Sequence, residues 1–373
     1  MEAALARIVE QVRTARAART TLDIRGGHTK AFYGGAVRGE PLDVRPLAGV
    51  ASYEPSELVV TARAGTPLAE LEAALAERGQ CLPFEPPRFA PDGVPDGVAG
   101  GAAGGTVGGM VAAGLAGPAR ATVGGVRDYV LGATMINGRG ELLTFGGQVM
   151  KNVAGYDVAR ALAGSLGVLG VICEVSLKVL PQPPARLTLR WELDEATALR
   201  RVNEWGGLPL PLQASAWWEG MLVVRLAGAA AAVRAAQAQL GGEAIEPELS
   251  ATFWRGLRDH RDEFFAGAAK AVERGASLWR LSVPSTTPPL ALPGEQLVEW
   301  GGAQRWLCTS AAAALLRAAA ANAGGHATLF RGQDKSCGAF APLAPAAARI
   351  QRELMRAFDP DRVFNRDRLC AEP

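Results

Sequence analysis

Apolar and polar positions follow several distinct rhythms along this chain. Leu5, Ile8, Val9 and Val12 recur at helical spacing, so residues 1–18 are expected to form an amphipathic helix. Residues 21–25 read as a short strand that runs directly into Gly26-Gly27-His28-Thr29-Lys30. Further strands are expected at 42–44, 50–53 and 58–64. Thr66 suits an N-cap and Pro67 a first helical position; Leu68, Leu71 and Leu75 form the buried stripe of that helix, and Gly79 ends it. Residues 81–83 return as a strand into a proline-rich loop. A glycine-rich segment fills 97–125. Strands at 130–136 and 141–144 flank an Asn137-Gly138-Arg139-Gly140 turn, and 158–163 reads as helix. The apolar, β-branched run 168–180 ends at Pro181-Gln182-Pro183-Pro184, which marks a domain boundary.

Beyond 185 the texture changes. Strands are expected at 187–193, 221–226, 278–283, 304–308 and 327–330, with helices at 229–240 and 311–321. Strands interleaved with helices point to a ferredoxin-like α+β sandwich. Residues 241–277 carry no assigned element. A last helix spans 346–358 and stops at Asp359-Pro360. No internal repeat is evident.

Composition narrows the class. The chain has 373 residues, is 49% hydrophobic and 20% charged, and balances 39 Lys+Arg against 37 Asp+Glu. That is a globular chain with room for two domains, neither disordered nor carrying a basic surface for nucleic acid. Cys81, Cys173, Cys308, Cys337 and Cys370 are scattered, with no C-x-x-C, which argues against a disulfide framework, a zinc ribbon or an iron–sulfur cluster in this chain. The N-terminus has no signal-peptide apolar core, and a cytoplasmic compartment is expected. Residues 97–119 are free of charge for 23 positions, but nine are glycine; a flexible loop is expected there, with no direct membrane insertion.

The chemistry is carried by glycine clusters. Consecutive N–H groups in a turn such as 26–29 form a concavity for an anion such as pyrophosphate. The turn is neither G-x-G-x-x-G nor G-x-x-x-x-G-K-[ST], so neither a Rossmann nor a P-loop reading applies. Thr106-Val107-Gly108-Gly109 follows, then Gly124-Gly125-Val126-Arg127-Asp128, then Gly155-Tyr156-Asp157, then Gly164-Ser165-Leu166-Gly167-Val168-Leu169-Gly170-Val171-Ile172. Over about 20–181 this ordered series resembles the FAD-binding domain of the vanillyl-alcohol oxidase / p-cresol methylhydroxylase superfamily. Leu166 stands where that superfamily usually has glutamate.

More narrowly, the run 151–158, Leu278–Pro284, Trp300–Leu307 and the tail Phe358–Asn365 resemble the family of smaller FAD-binding subunits of bacterial glycolate oxidase (glycolate dehydrogenase). The resemblance implies an α+β fold: a two-subdomain FAD-binding domain of the p-cresol methylhydroxylase type over 1–181, a ferredoxin-like α+β cap over 182–345, and a segment 346–373 packing back. It implies FAD as cofactor, a small 2-hydroxy acid as substrate, and two partners, a larger flavoprotein subunit and an iron–sulfur subunit. Any membrane association would come through those partners. The implied cofactor-binding residues are Arg25, Gly26, Gly27, His28, Thr29, Lys30, Thr106, Gly108, Gly109, Gly124, Arg127, Asp128, Gly164, Ser165, Gly167, Val168, Val171 and Ile172; for Val171 and Ile172 an ordinary buried strand is the competing reading.

Other readings stay open. The chain could be a non-catalytic FAD-binding assembly or electron-relay subunit, or a stand-alone flavin oxidase of another hydroxy acid or alcohol. His28 could be a plain loop residue beside the phosphates or the site of a histidyl–flavin bond, although Cys81 lacks the surroundings of a second link. Relatives bind metal and substrate with clustered histidines, whereas only His260 and His326 lie in the second half here, so no metal site is expected. Arg331 could pair with a substrate carboxylate or sit at the surface. Trp217-Trp218 could frame a pocket or belong to the core. No catalytic residue is assigned, and the tail Asn365-Arg366-Asp367-Arg368 departs from the superfamily's Asn-Pro-Gly-Lys.

Overall fold

The computed structural model describes residues 2–90, 104–147 and 156–370. The helix Glu2–Ala18 buries Ile8, Val12 and Ala15. It covers a parallel pair, β1 (Leu22–Arg25) and β2 (Glu40–Asp43). The C-terminal tail adds a parallel bridge, Leu22 to Phe364, so the two ends of the chain share one small core with Leu42, Val171 and Val363. Burying each such side chain contributes roughly 1.5–3 kcal/mol.

The next strands build a five-stranded antiparallel sheet and a small satellite. They are β3 (Val50–Glu54), β4 (Val59–Arg63), β5 (Gln80–Cys81), β6 (Val130–Ile136), β7 (Leu142–Gly146), β8 (Val171–Lys178) and β9 (Leu180–Pro181). The sheet order is β3-β4-β8-β6-β7, and β5 pairs with β9. The β6–β7 turn is held by Asn137, whose Oδ1 accepts the N–H groups of Arg139 at 2.9 Å and Glu141 at 3.0 Å. The helix Leu68–Ala76 lays Leu68, Leu71 and Leu75 onto this sheet. Its N-cap is Pro67, not Thr66. The Thr66 hydroxyl accepts the Gly49 N–H at 2.9 Å and donates to the Gly49 carbonyl, a cross-strand tie that wins over local capping.

The glycine-rich segment is more ordered than its composition predicts. Where a flexible loop is expected, the described part forms a helix, Val107–Ala113, capped by Thr106 and stopped by Gly114 in the left-handed region (φ 63°). Small residues are needed because the helix lies against β4: a Cβ at Gly108 would stand 2.6 Å from that of Ala64. Residues 97–103 and 151–155 lie outside the described residues.

The second half is one eight-stranded antiparallel sheet. Its strands are β10 (Ala185–Glu192), β11 (Leu212–Trp218), β12 (Met221–Gly228), β13 (Glu243–Ile245), β14 (Ser277–Ser282), β15 (Glu295–Glu299), β16 (Gln304–Thr309) and β17 (His326–Arg331). The order is β13-β10-β12-β11-β15-β16-β14-β17. The first four strands, with helices Glu195–Gly206 and Ala230–Leu240, make a β-α-β-β-α-β unit with its fourth strand beside its first. The last four repeat that order, with helix Ala313–Asn322 before the final strand and irregular chain between β14 and β15 where the first unit has a helix. The two units meet edge to edge where Ala216 and Trp217 of β11 pair with Glu299 and Val298 of β15. The ferredoxin-like expectation therefore holds twice over, and the internal repeat that the sequence conceals is topological.

Both faces of this sheet are covered. Leu222, Val224, Trp279 and Leu307 face the three helices just named. Val223, Leu278 and Trp306 face the other way, onto helices Pro247–Asp259 and Glu263–Glu273 and onto the first half of the chain. The final helix, Pro345–Phe358, returns Leu354, Met355 and Phe358 to the five-stranded sheet. No helix of the described residues is long and apolar enough to cross a membrane.

Candidate functional site

A cleft of about 110 Å³ opens between β1 and the helix Val107–Ala113. Arg25, Gly26, Gly27, His28, Thr29 and Lys30 form one wall, and Gly108, Gly109, Gly167 and Ile172 line the rest with Asn365 and Arg368. Among the described residues, the amides of Gly27, His28, Thr29 and Lys30 have no hydrogen-bond acceptor. Such a run of unpaired N–H groups is a ready anion site. The cradle depends on missing side chains. A Cβ at Gly26 would run into Thr106 Oγ1, and one at Gly105 would lie 2.9 Å from Thr29 Oγ1 and 3.2 Å from Lys30 Nζ. Thr106 itself is buried, with Oγ1 accepting the Gly109 N–H at 3.3 Å.

Charge at the cleft is set by burial. The Lys30 ammonium is half-buried at the cleft wall, and desolvation lowers its pKa to about 8, with the Asp259 charge opposing the shift. Its Nζ donates to Thr29 Oγ1 at 3.3 Å. Arg25 is answered by Asp23, whose Oδ2 accepts from Nε at 2.5 Å; His28 Nε2 stands 4.0 Å from the same oxygen. His28 has a left-handed backbone (φ 55°) and is exposed at the cleft wall, whereas Cys81 sits in β5, away from that lining.

The opposite wall is the loop 164–170. Gly164 (φ 84°) donates to the Val111 carbonyl, and Leu166 (φ 51°) to that of Ala112. Ser165 Oγ accepts the Gly167 N–H at 3.3 Å. Leu166, rather than an acid, faces the cleft. Asn365 stitches the two walls together: Oδ1 accepts the Ile24 N–H at 2.8 Å and Nδ2 donates to the Leu166 carbonyl at 2.6 Å.

Some candidates fall elsewhere. Val168 and Val171 pack in the two cores beside the cleft, and Ile172 is both cleft wall and core. Gly124, Arg127 and Asp128 lie outside the cleft lining. Asp128 Oδ2 accepts the Gly125 N–H at 2.8 Å, a Cβ at Gly124 (φ 91°) would crowd it, and Arg127 is exposed. Conversely, sequence reasoning gave no role to Asp23, Ala64 or Arg368, and only an unsettled one to Asn365. The tail's Asn-x-x-Arg pattern was the available signal.

A second, nearly filled cavity, with about 10 Å³ of open space, lies where the sheet of the second half meets residues 87–89 and 115–118. His260, Arg280, Glu299, Trp306 and Phe330 line it. His260 ends helix Pro247–Asp259 (φ 56°) and stacks on Phe265 at 3.7 Å. Burial, with Arg331 and Arg280 nearby, holds its pKa well below the usual value, so it is neutral, and its buried Nδ1 has no partner. Arg280 donates to Tyr33 Oη at 3.0 Å, and no acid pairs with it among the described residues. Glu299 is pushed up to about 7 by burial and accepts from Trp306 Nε1 at 2.6 Å and Gln304 Nε2 at 2.9 Å.

The remaining candidates resolve structurally. Arg331 lies over the Phe32 ring at 3.4 Å. Trp217 donates to the Leu193 carbonyl and packs in the core, and Trp218 donates to Glu295 Oε1. His326 is exposed at the start of β17. Among the described residues no three His, Cys, Asp or Glu side chains are grouped to hold a metal ion.

The cleft fits a group with two anionic phosphates and planar ends. It offers unpaired amides, a half-buried, desolvated ammonium, and glycines that admit backbone contact. Comparison with known proteins agrees. The model of the FAD binding domain family matches residues 4–146. Over 365 residues the chain is 46% identical to the glycolate oxidase subunit GlcE of Escherichia coli (strain K12), covering 98% of this chain and 97% of that one. It is 30% identical over 167 residues to a D-lactate dehydrogenase of Anaerostipes hadrus, 44% of this chain and 32% of the relative. Among solved structures, an alkyldihydroxyacetonephosphate synthase superposes with a TM-score of 0.63 at 14% identity, over 96% of this chain and 73% of that one; this likeness concerns the fold alone.

Proposed function

The chain belongs to the family of glycolate oxidase subunits that includes the Escherichia coli protein, and from that premise we propose that it is the FAD-binding subunit of a complex oxidising glycolate to glyoxylate. The observation that carries this reading is the glycine-walled cleft, whose phosphate-facing turn with Lys30 and whose Gly108 and Gly109 lie inside the stretch matched by the FAD binding domain. Residues 1–181 carry the flavin, 182–345 form the cap, and 346–373 pack back onto the flavin domain. Gly26–Lys30, with Thr106, Gly108 and Gly109, hold the pyrophosphate. When bound, FAD supplies the two-electron oxidant.

The groups around the cap cavity are those a 2-hydroxy acid requires, and the cavity, which now has room for about one water, widens by side-chain movement to admit it. Arg280 holds the carboxylate through its guanidinium fork. Neutral His260 accepts the hydroxyl proton at Nδ1, and the surrounding rings of Phe265, Trp306 and Phe330 exclude water. Electrons leave to an iron–sulfur partner, and a larger flavoprotein subunit completes the complex, which works in the cytoplasm. The aromatic enclosure of His260 favours one second reading, an electron-relay subunit that binds FAD without turning over substrate itself.

The visible spectrum of the purified chain, without air, before and after glycolate, decides between them. A flavin band that bleaches is the expected result. A band that persists moves substrate oxidation to the larger partner, and a chain that binds no flavin overturns the proposal.

A further inference from the structure

The segment following the glycine turn, residues 31–35, is irregular, so its carbonyls have no ladder to satisfy them. Two cations from distant parts of the chain take all five. Arg368, 7% exposed, donates from Nη1 to the carbonyls of Ala31 at 2.8 Å and Gly35 at 2.7 Å, and from Nη2 to that of Tyr33 at 2.6 Å. Lys335 Nζ donates to the carbonyls between them, Phe32 at 2.5 Å and Gly34 at 2.9 Å. The pattern alternates along the chain: 31, 33 and 35 face the arginine, 32 and 34 the lysine. The backbone also answers, with Gly35 N–H donating to the Arg368 carbonyl at 2.8 Å. Close packing allows no slack, since a Cβ at Gly34 would lie 2.7 Å from that carbonyl.

Resting on the reading that residues 26–30 hold the flavin's pyrophosphate, we propose that Arg368 and Lys335 are positioning residues for that loop. They clamp its trailing half from two sides and fix Lys30 and the unpaired amides before the ligand arrives. A site whose donors are already ordered spends less binding energy on ordering them. Both cations also add positive potential next to the phosphates. Because Lys335 comes from the cap, the clamp couples flavin affinity to cap docking. Whatever loosens residues 332–338 weakens the flavin, and bound flavin tightens the cap by the same factor.

The test uses full-length apoprotein titrated with FAD and, separately, with ADP, which carries the pyrophosphate but no flavin ring. Lys335→Met keeps the stem and removes the charge. Arg368→Lys keeps the charge and loses the fork. Each is expected to weaken FAD and ADP by the same factor, roughly tenfold or more, as befits lost hydrogen bonds to a charged donor. Arg368→Lys should retain more affinity than Arg368→Ala. FAD should also raise the melting temperature of Lys335→Met less than that of the unchanged protein. A purely structural role would lower the apoprotein's melting temperature while leaving both affinities intact, and that result overturns the clamp. If the unchanged protein binds neither FAD nor ADP, the reading of the cleft fails, and the clamp with it.

Discussion

Lys30 shows what one desolvated charge does. Its pKa of about 8 in the ligand-free protein means that desolvation has already removed part of the preference for the ammonium. Pyrophosphate binding favours the charged form and draws that pKa back up. FAD affinity is therefore expected to be flat below about pH 8 and to weaken above it, as the ammonium must be regained at binding. Lys30→Met should lose roughly tenfold or more in affinity at pH 7 and abolish the pH slope. Fluorescence titration of FAD between pH 6 and 9.5 checks this; a wild-type affinity that ignores pH would remove Lys30 from the site. Lys30 was legible in the sequence because it directly follows the glycine turn. Its desolvation was not, since Phe89, whose ring it lies over, and Asp259, whose charge it feels, are 59 and 229 positions away.

At the scale of the element, glycines separate into those that make room and those that merely weaken a helix. Gly26→Ala would push a methyl into Thr106 Oγ1, the cap of helix Val107–Ala113, so it is expected to abolish FAD retention in protein that still folds. Gly267 lies exposed inside helix Glu263–Glu273 with open space around its Cβ, and Gly267→Ala should stabilise by about 0.5–1 kcal/mol. Urea midpoints and the flavin content of the purified variants measure both; a yellow Gly26→Ala protein would contradict the cradle. Most elements were legible from periodicity alone, including Leu68, Leu71 and Leu75 and the β6–β7 turn. Helices Pro247–Asp259 and Glu263–Glu273 also carried a signal, in Trp254 and Leu257 and in Phe264, Phe265 and Ala268. Glycine content misled at 107–113, because close helix packing and loop flexibility both call for small side chains.

Across the whole molecule, the two halves are joined by a shared aromatic core and by polar contacts at its edge. Arg225 of β12 donates twice to Glu85, at 2.7 and 2.8 Å, and its guanidinium lies over Trp254. Glu85→Ala would leave a buried arginine without its acid, a loss of about 3–5 kcal/mol, whereas Arg225→Met should cost less because the Glu85 carboxylate left behind is more exposed and keeps the Ala119 N–H. Thermal melting of the two variants tests the order; equal effects would mean that Glu85 acts through its bond to the Ala119 N–H instead. The sequence by itself determined the local matters: which runs are strands and helices, the glycine turn after β1, and the ordered motifs that mark an FAD-binding chain. These depend on near neighbours and on spacing, so they survive in one dimension. Only the tertiary structure decided that the second half is two ferredoxin-like units sharing one sheet, and that Asn365, Arg368 and Lys335 close on the loop at 24–35. Those contacts cross some 300 residues, and sequence spacing holds no record of which distant side chains folding will bring together.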